Sequence, residues 1–353
     1  MASLWYAILC VMLVGFAVLD GFTIGAGALH LLVARPGTER REVVTAIGPL
    51  WSWHEVWLVA AGGVLFVAFP KVLAASFAGY YLALMMLLWA LVLRGVSLEV
   101  GGHVNDAMWQ TFWDAVLGLS SIVLAILLGA ALGNVVRGVP LGADGSFSMA
   151  LFTDFRTTGE VGLLDWYTLS TAVFTLVALS AHGATYLAFR STGLVHKRSV
   201  GFAKALWAGV GVLLPVITLE SWVVRPDLFI GMAGRPLAWL AILLVVGGTA
   251  AVFTGMRTGA FGRAVAGSAA FLAGLLGAAA VSVYPVLLYP TIPGGEALTV
   301  DNASSGAYGL GVAILWWPVA MVFTLIYAWV VVRWFRGTVN PKGLPRDFVA
   351  RSR

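Results

Sequence analysis

Charge is what this chain has least of. Only 10% of its 353 residues are charged, against about 25% in an ordinary soluble domain. Cysteine is scarcer still. Cys10 stands alone, which excludes an internal disulfide, a CxxC metal knuckle and covalent attachment of a c-type haem. No Walker A pattern occurs and no GxGxxG follows a strand, so nothing suggests a nucleotide site. Ser-His-Asp and HExxH arrangements are missing too.

What fills the chain instead is apolar. Hydrophobic residues make up 60% of it, and mean hydropathy is +0.94. This is the composition of a polytopic membrane protein. The basic excess of +5 is read as membrane topology, with no nucleic-acid partner. The run from Leu4 to Val33 is too long for a cleavable leader and lacks a basic start, so it is expected to remain as a helix.

Apolar segments of about 20 residues are candidate spans. Nine are expected: 4–34, 52–69, 74–94, 113–133, 164–189, 201–222, 236–256, 264–288 and 306–334. Pro70 ends the second, with Lys71 at the water interface. The longest loops are expected at 134–163, 95–112, 35–51 and 289–305. With nine spans, sixteen Lys and Arg fall on one side and five on the other. The positive-inside rule then sets the N-terminus outside and the C-terminus in the cytoplasm.

The first and fifth spans end alike, one in Arg35-Pro-Gly-Thr-Glu-Arg40-Arg41 and the other in Arg190-Ser-Thr-Gly-Leu-Val-His-Lys197-Arg198. An interval of four helices keeps orientation, so a repeat would be parallel. The expected plan is all-α: a single membrane domain with a first four-helix bundle over 1–140 and a second over 141–290. A ninth helix and basic tail complete it over 291–353. Two independent basic loops would also explain the echo. Gly21-x-x-x-Gly25, followed by Gly27, offers a small-residue face for close helix approach within the chain.

Acids inside such spans cost roughly 2.5–3.5 kcal/mol at a helix centre and mark function by default. Asp20 is the only acid well inside the first span, about 24 Å along it from Leu4. It is either a proton- or ion-binding carboxylate or a buried acid satisfied at a helix contact. His54 and Glu55 stand at the start of the second span, among Trp51, Trp53 and Trp57. A histidine of ordinary pKa, about 6.5, can relay protons near neutrality, and a Glu in a first turn also suits the helix dipole.

Other polar residues read as structural. Asp165 is expected to cap the fifth span and Asn302 to cap the ninth. Glu99 is expected in a loop, solvated or paired with Arg94, and Glu220 has no evident partner. His182 lies deep in the fifth span beside Gly183, but one histidine is not a haem ligand set.

Taken in order, these segments resemble subunit II of cytochrome bd-type quinol oxidases. The resemblance is carried by Gly15 to Gly27 with Asp20-Gly21-Phe22, and by Glu39-Arg40-Arg41. It continues in Gly48-Pro49-x-Trp51 with Glu55-Val56-Trp57-Leu58, then Ala61 to Phe66, Phe69-Pro70 and Leu93-Arg94-Gly95-Val96. Further on come Gly133-Asn134-Val135-Val136-Arg137-Gly138-Val139-Pro140, Leu164 to Thr168, His182 to Leu187, Leu298 to Ala303, and Phe335-Arg336-Gly337.

The resemblance implies a bacterial cytoplasmic-membrane oxidase that reduces oxygen to water with electrons from quinol and protons from the cytoplasm. It implies a partner, subunit I, that holds two b haems and one d haem. This chain itself would carry no haem, no metal and no catalytic residue. A small single-helix accessory subunit and a bound lipid or quinone are further expected partners. The fold implied is two four-helix bundles plus one helix.

Two departures matter. The family's first motif commonly reads Asp-Gly-Phe-Asp, and here the second acid is Thr23. Its second commonly reads Trp-Asp-x-Asn-Glu-Val-Trp, and here Ser52 takes the acid place and His54 the Asn place. The expected proton path therefore uses Asp20 with His54 or Glu55, and water held by Ser52. The alternatives are a secondary transporter with buried acids, a purely structural partner and a haem-binding subunit.

Overall fold

The computed structural model describes residues 1–153, 155–157, 159–335 and 337–339. Its helices in chain order are α1 (Ala2–Val33), α2 (Thr38–Ala68), α3 (Pro70–Gly79), α4 (Tyr81–Val100), α5 (Ala107–Arg137) and α6 (Trp166–Arg190). They continue as α7 (Gly193–Val224), α8 (Pro226–Ala233), α9 (Pro236–Thr258), α10 (Phe261–Val283) and α11 (Ala307–Trp334). Among the described residues, nine helices are long and apolar enough to cross a membrane: all except α3 and α8. The tail expected from 340 onward, and Arg336, lie outside the described residues.

The helix ends differ from the sequence expectation, and the differences bear on function. The loop expected over 35–51 is mostly helix. α2 begins directly after Gly37, whose φ of +94° is open to glycine. Glu39 in its first turn accepts from the Arg35 backbone N–H at 2.8 Å and from Arg198 Nη1 at 2.6 Å. The helix then runs through Pro49. His54 and Glu55 consequently sit in mid-helix rather than in a first turn.

The loop expected over 95–112 shrinks to 101–106, because α4 reaches Val100 and Asp106 caps α5 by accepting from Trp109 N–H at 2.8 Å. Arg94, expected at a helix end facing water, is thereby drawn into α4. Pro70 starts α3 at its first turn, where a missing N–H costs nothing. Lys71 donates to the Asn302 carbonyl at 2.9 Å.

The spans pack as two groups. α1 packs on α2 and α5, and α4 on α5 and α2; α6 packs on α7 and α10, and α10 on α9; α11 lies on α2. The two groups are packed tightly together, α1 lying on α6 and α10 and α5 on α6. A Cβ at Gly25 would collide with the Leu179 carbonyl, and one at Gly183 with the Gly25 and Ala26 backbones. The small-residue face of α1 thus serves packing inside the chain. One core, with Ile24, Ile47, Leu124, Leu187, Trp207 and Phe271, fills the space between the groups. A second, with Trp5, Phe69, Val139, Leu141 and Leu288, closes one end. There a two-stranded antiparallel ribbon forms, β1 (Val286–Leu288) with β2 (Leu298–Thr299).

Two expected caps resolve differently. Asp165 caps α6 as expected, accepting from the N–H groups of Tyr167 at 3.1 Å and Thr168 at 3.0 Å. It also pairs with Arg137. Asn302 does not cap α11, which starts after Gly306. Its side chain closes a turn by accepting from Thr299 N–H at 2.8 Å.

A buried Asp20–Arg94–Glu55 network as candidate functional site

Three helices bring charge to one point in the first group. α1 supplies Asp20 and Thr23, three residues apart and therefore on one face. α2 supplies His54 and Glu55, and α4 supplies Arg94. Arg94 Nη2 donates to Asp20 Oδ2 at 2.7 Å and to Glu55 Oε1 at 2.8 Å. Its Nη1 donates to Thr23 Oγ1 at 3.1 Å, and the Thr23 hydroxyl also lies against Asp20 Oδ1. Asp20 and Arg94 are buried, while the Glu55 side chain keeps 20% of its surface exposed and forms the open side of the network.

The charges do not cancel. Two carboxylates share one guanidinium, so the fully ionised trio carries one net negative charge away from bulk water. Charge in such surroundings is costly unless paired, and one added proton would make the trio neutral. The arrangement is chemically suited to taking up and releasing a proton.

His54 borders this network. It is buried, with Phe22 edge-on at 5.1 Å and Trp53 at 4.3 Å between ring centroids. Neither ring nitrogen has a hydrogen-bond partner, and Nδ1 lies 4.0 Å from Asp20 Oδ1, just beyond hydrogen-bond reach. A buried imidazole without partners is held at a cost, beside a carboxylate it could join with a small ring movement. Ser52 is not brought in; it lies on the exposed face of α2.

Arg94 is the residue that sequence reasoning misplaced. The available signal was the need for a counter-charge to Asp20. Glu99, expected beside Arg94, instead accepts from Trp51 Nε1 at 3.1 Å. A second cluster also went unread: His30 Nε2 meets Asp114 Oδ1 at 2.8 Å, and Arg40 Nη1 donates to Asp114 Oδ2 at 2.9 Å.

His182 is fully committed. Its Nδ1 is 2.6 Å from Ser268 Oγ and its Nε2 is 3.0 Å from the Val18 carbonyl. The carbonyl can only accept, so Nε2 carries the proton and Nδ1 accepts from the serine. A ring so engaged has no nitrogen left for a haem iron. Glu220 has a partner after all, in Ser170 Oγ at 3.3 Å. Among the described residues, no three His, Cys, Asp or Glu side chains gather as a metal-ligand group.

Nine membrane-length apolar helices among the described residues, with an ion network buried between three of them, define a polytopic membrane protein. The model of the family described as cytochrome bd terminal oxidase subunit II matches residues 1–335. Subunit 2 of the cytochrome bd-I ubiquinol oxidase of Escherichia coli K12 is 28% identical, over 98% of this chain and 96% of the relative. Subunit 2 of the cytochrome bd ubiquinol oxidase of Bacillus subtilis is 30% identical, over 88% of each chain. The bd oxidase structure from Geobacillus thermodenitrificans shares the fold, with a TM-score of 0.74 at 15% identity, covering 95% of this chain and 98% of that one. The chain belongs to the cytochrome bd terminal oxidase subunit II family. That membership makes it a subunit of a respiratory terminal oxidase and replaces the transporter alternative.

Proposed function

We propose that this chain pairs with a haem-bearing subunit I in a bacterial cytoplasmic membrane and delivers protons for the reduction of oxygen to water. Quinol would supply the electrons, and the two b haems and one d haem would sit in the partner. The N-terminus would lie outside and the C-terminus in the cytoplasm; moving Arg94 into the interior leaves the sign of the Lys and Arg asymmetry unchanged. The chain would divide into bundles over 1–140 and 141–290 with a closing segment over 291–353.

The observation that carries the proton role is the sharing of one guanidinium, Arg94, by two carboxyl groups, Asp20 and Glu55, with an unpartnered His54 ring beside them. Glu55, on the open side, shares the proton of the trio with Asp20. Arg94 holds Glu55 and Asp20 at hydrogen-bond distance, so a proton gained by one carboxylate changes the field on the other. His54 accepts a proton at Nδ1 when its ring approaches Asp20. The departures from the family motif thus leave working acids in place, with Thr23 holding Asp20 through its hydroxyl.

The test is oxygen consumption by the two-subunit complex carrying His54→Ala with Glu55→Gln. A loss of about a hundredfold, the lower range for a positioned acid or base, is expected with the haem spectrum intact. Unchanged turnover would end the proton role.

A further inference from the structure

The second titratable cluster lies on the same side of α1 as the first. Asp20, Thr23, Gly27 and His30 follow at intervals of three, four and three residues, which places them on one helix face. Each of the three side chains is buried, and Asp20 and His30 are separated by about 15 Å of helix. α5 supplies the other wall. Asp114 binds His30, and two turns on, the Ser121 hydroxyl occupies the place that a side chain at Gly27 would take. Ser121 donates to the Leu117 carbonyl at 2.7 Å and is buried.

Polar groups therefore continue from the His30 end of this interface to Asp20. Two features of its outer end stand out. Asp114 keeps 17% of its side-chain surface exposed, and Arg40 pins its second oxygen. His30 is fully buried, with Nε2 on Asp114 and Nδ1 without a partner. A merely structural histidine would bind at both nitrogens, as His182 does.

We propose that Asp114 and His30 are the proton intake of this subunit, feeding Asp20 along the α1–α5 seam. The inference rests on the proton role proposed above. At rest Nε2–H donates to the Asp114 carboxylate; when water protonates Asp114, a ring turn brings the bare Nδ1 to the carboxyl, Nδ1 takes that proton, and Nε2 releases its own inward. Water and the Ser121 and Thr23 hydroxyls carry it to Asp20, and the ring, again neutral and bonded to Asp114 by the nitrogen that gained the proton, needs one further turn for the next transfer. No electron moves and no bond other than to hydrogen is exchanged. Arg40 is a positioning residue that keeps Asp114 facing His30.

The test uses the complete oxidase in native membranes with three variants: His30→Gln, Ser121→Ala and Glu55→Gln. Gln can keep a hydrogen bond to Asp114 but cannot pass a proton through a ring. His30→Gln is expected to lower turnover per haem about tenfold and to raise the solvent deuterium isotope effect. Ser121→Ala, which removes one hydroxyl and no packing contact of size, is expected to lower turnover several-fold with the same isotope signature. Loss of complex yield with normal turnover per haem and a normal isotope effect would show a structural histidine and overturn the proposal. Normal turnover in His30→Gln and Ser121→Ala beside a slow Glu55→Gln would overturn the intake and leave the inner network standing. Normal turnover in all three would remove both.

Discussion

The two groups of helices bury polar residues in different ways. In the group of α1, α2, α4 and α5, the interior holds ions: Asp20, Glu55 and Arg94, and farther along α1 His30 with Asp114 and Arg40. In the group of α6, α7, α9 and α10, charge lies toward the helix ends, in Asp165 with Arg137, in Arg190 and in Glu220, and the mid-helix polar contacts are neutral. His182 is closed by Ser268 and Val18, and Trp207 Nε1 donates to Thr185 Oγ1 at 3.0 Å. Glycines at 248 and 267 let α9 and α10 meet backbone to backbone. Mid-helix packing in that group is therefore achieved without an ion pair at its centre. The ions of the first group are not required to pack helices, and their cost points to a task.

The largest effect is expected at Arg94. Arg94→Leu leaves Asp20 and Glu55 facing each other unpaired, and breaking such a buried pair costs about 3–5 kcal/mol. Thermal melting of the complex should drop sharply, or the complex should fail to accumulate. A melting point like wild type would mean that the network is not closed as described. Asp20→Asn should be milder in stability, because Arg94 keeps Glu55, yet it should slow turnover per haem by about tenfold or more. Equal turnover would separate Asp20 from the proton path.

In the neutral group, Ser268→Ala removes one partner of His182 and should cost about 1 kcal/mol in stability with turnover per haem unchanged. A turnover defect there would erase the contrast between the groups. The smallest effect is expected outside the spans, at Asp227. Its bidentate bonds from Arg225, at 2.8 Å and 2.6 Å, hold its carboxyl below the usual carboxylate range. A depressed carboxyl stabilises above its unfolded pKa, and this is lost as pH falls through the folded value. The side chain is 60% exposed, so Asp227→Asn should leave the melting curve near neutral pH unchanged within error.

Much of this was legible in the sequence because membrane spans announce themselves by apolar length alone. The nine spans, the Asp165 cap and the packing role of Gly25 all follow from local pattern. The helix ends did not, for hydropathy reports contact with lipid and not helicity. Thr38 to Trp51 is too polar to read as a span, yet it is good helix with an acidic first turn. The same bias hid Arg94. An arginine closing an apolar run reads as an interface residue, and its interior role comes from Asp20, 74 positions away. His30 and Asp114, 84 positions apart, were hidden for the same reason. Asp20 and Glu55 stood out singly, but their pairing through one guanidinium is a property of the fold.

The most direct test of the central claim is the solvent isotope effect on oxygen consumption by the Glu55→Gln complex, set beside wild type and Ser268→Ala. A proton-delivering first group predicts slow turnover and a raised isotope effect in Glu55→Gln alone. Wild-type turnover and isotope effect in Glu55→Gln would contradict it and leave the buried ions as structure only.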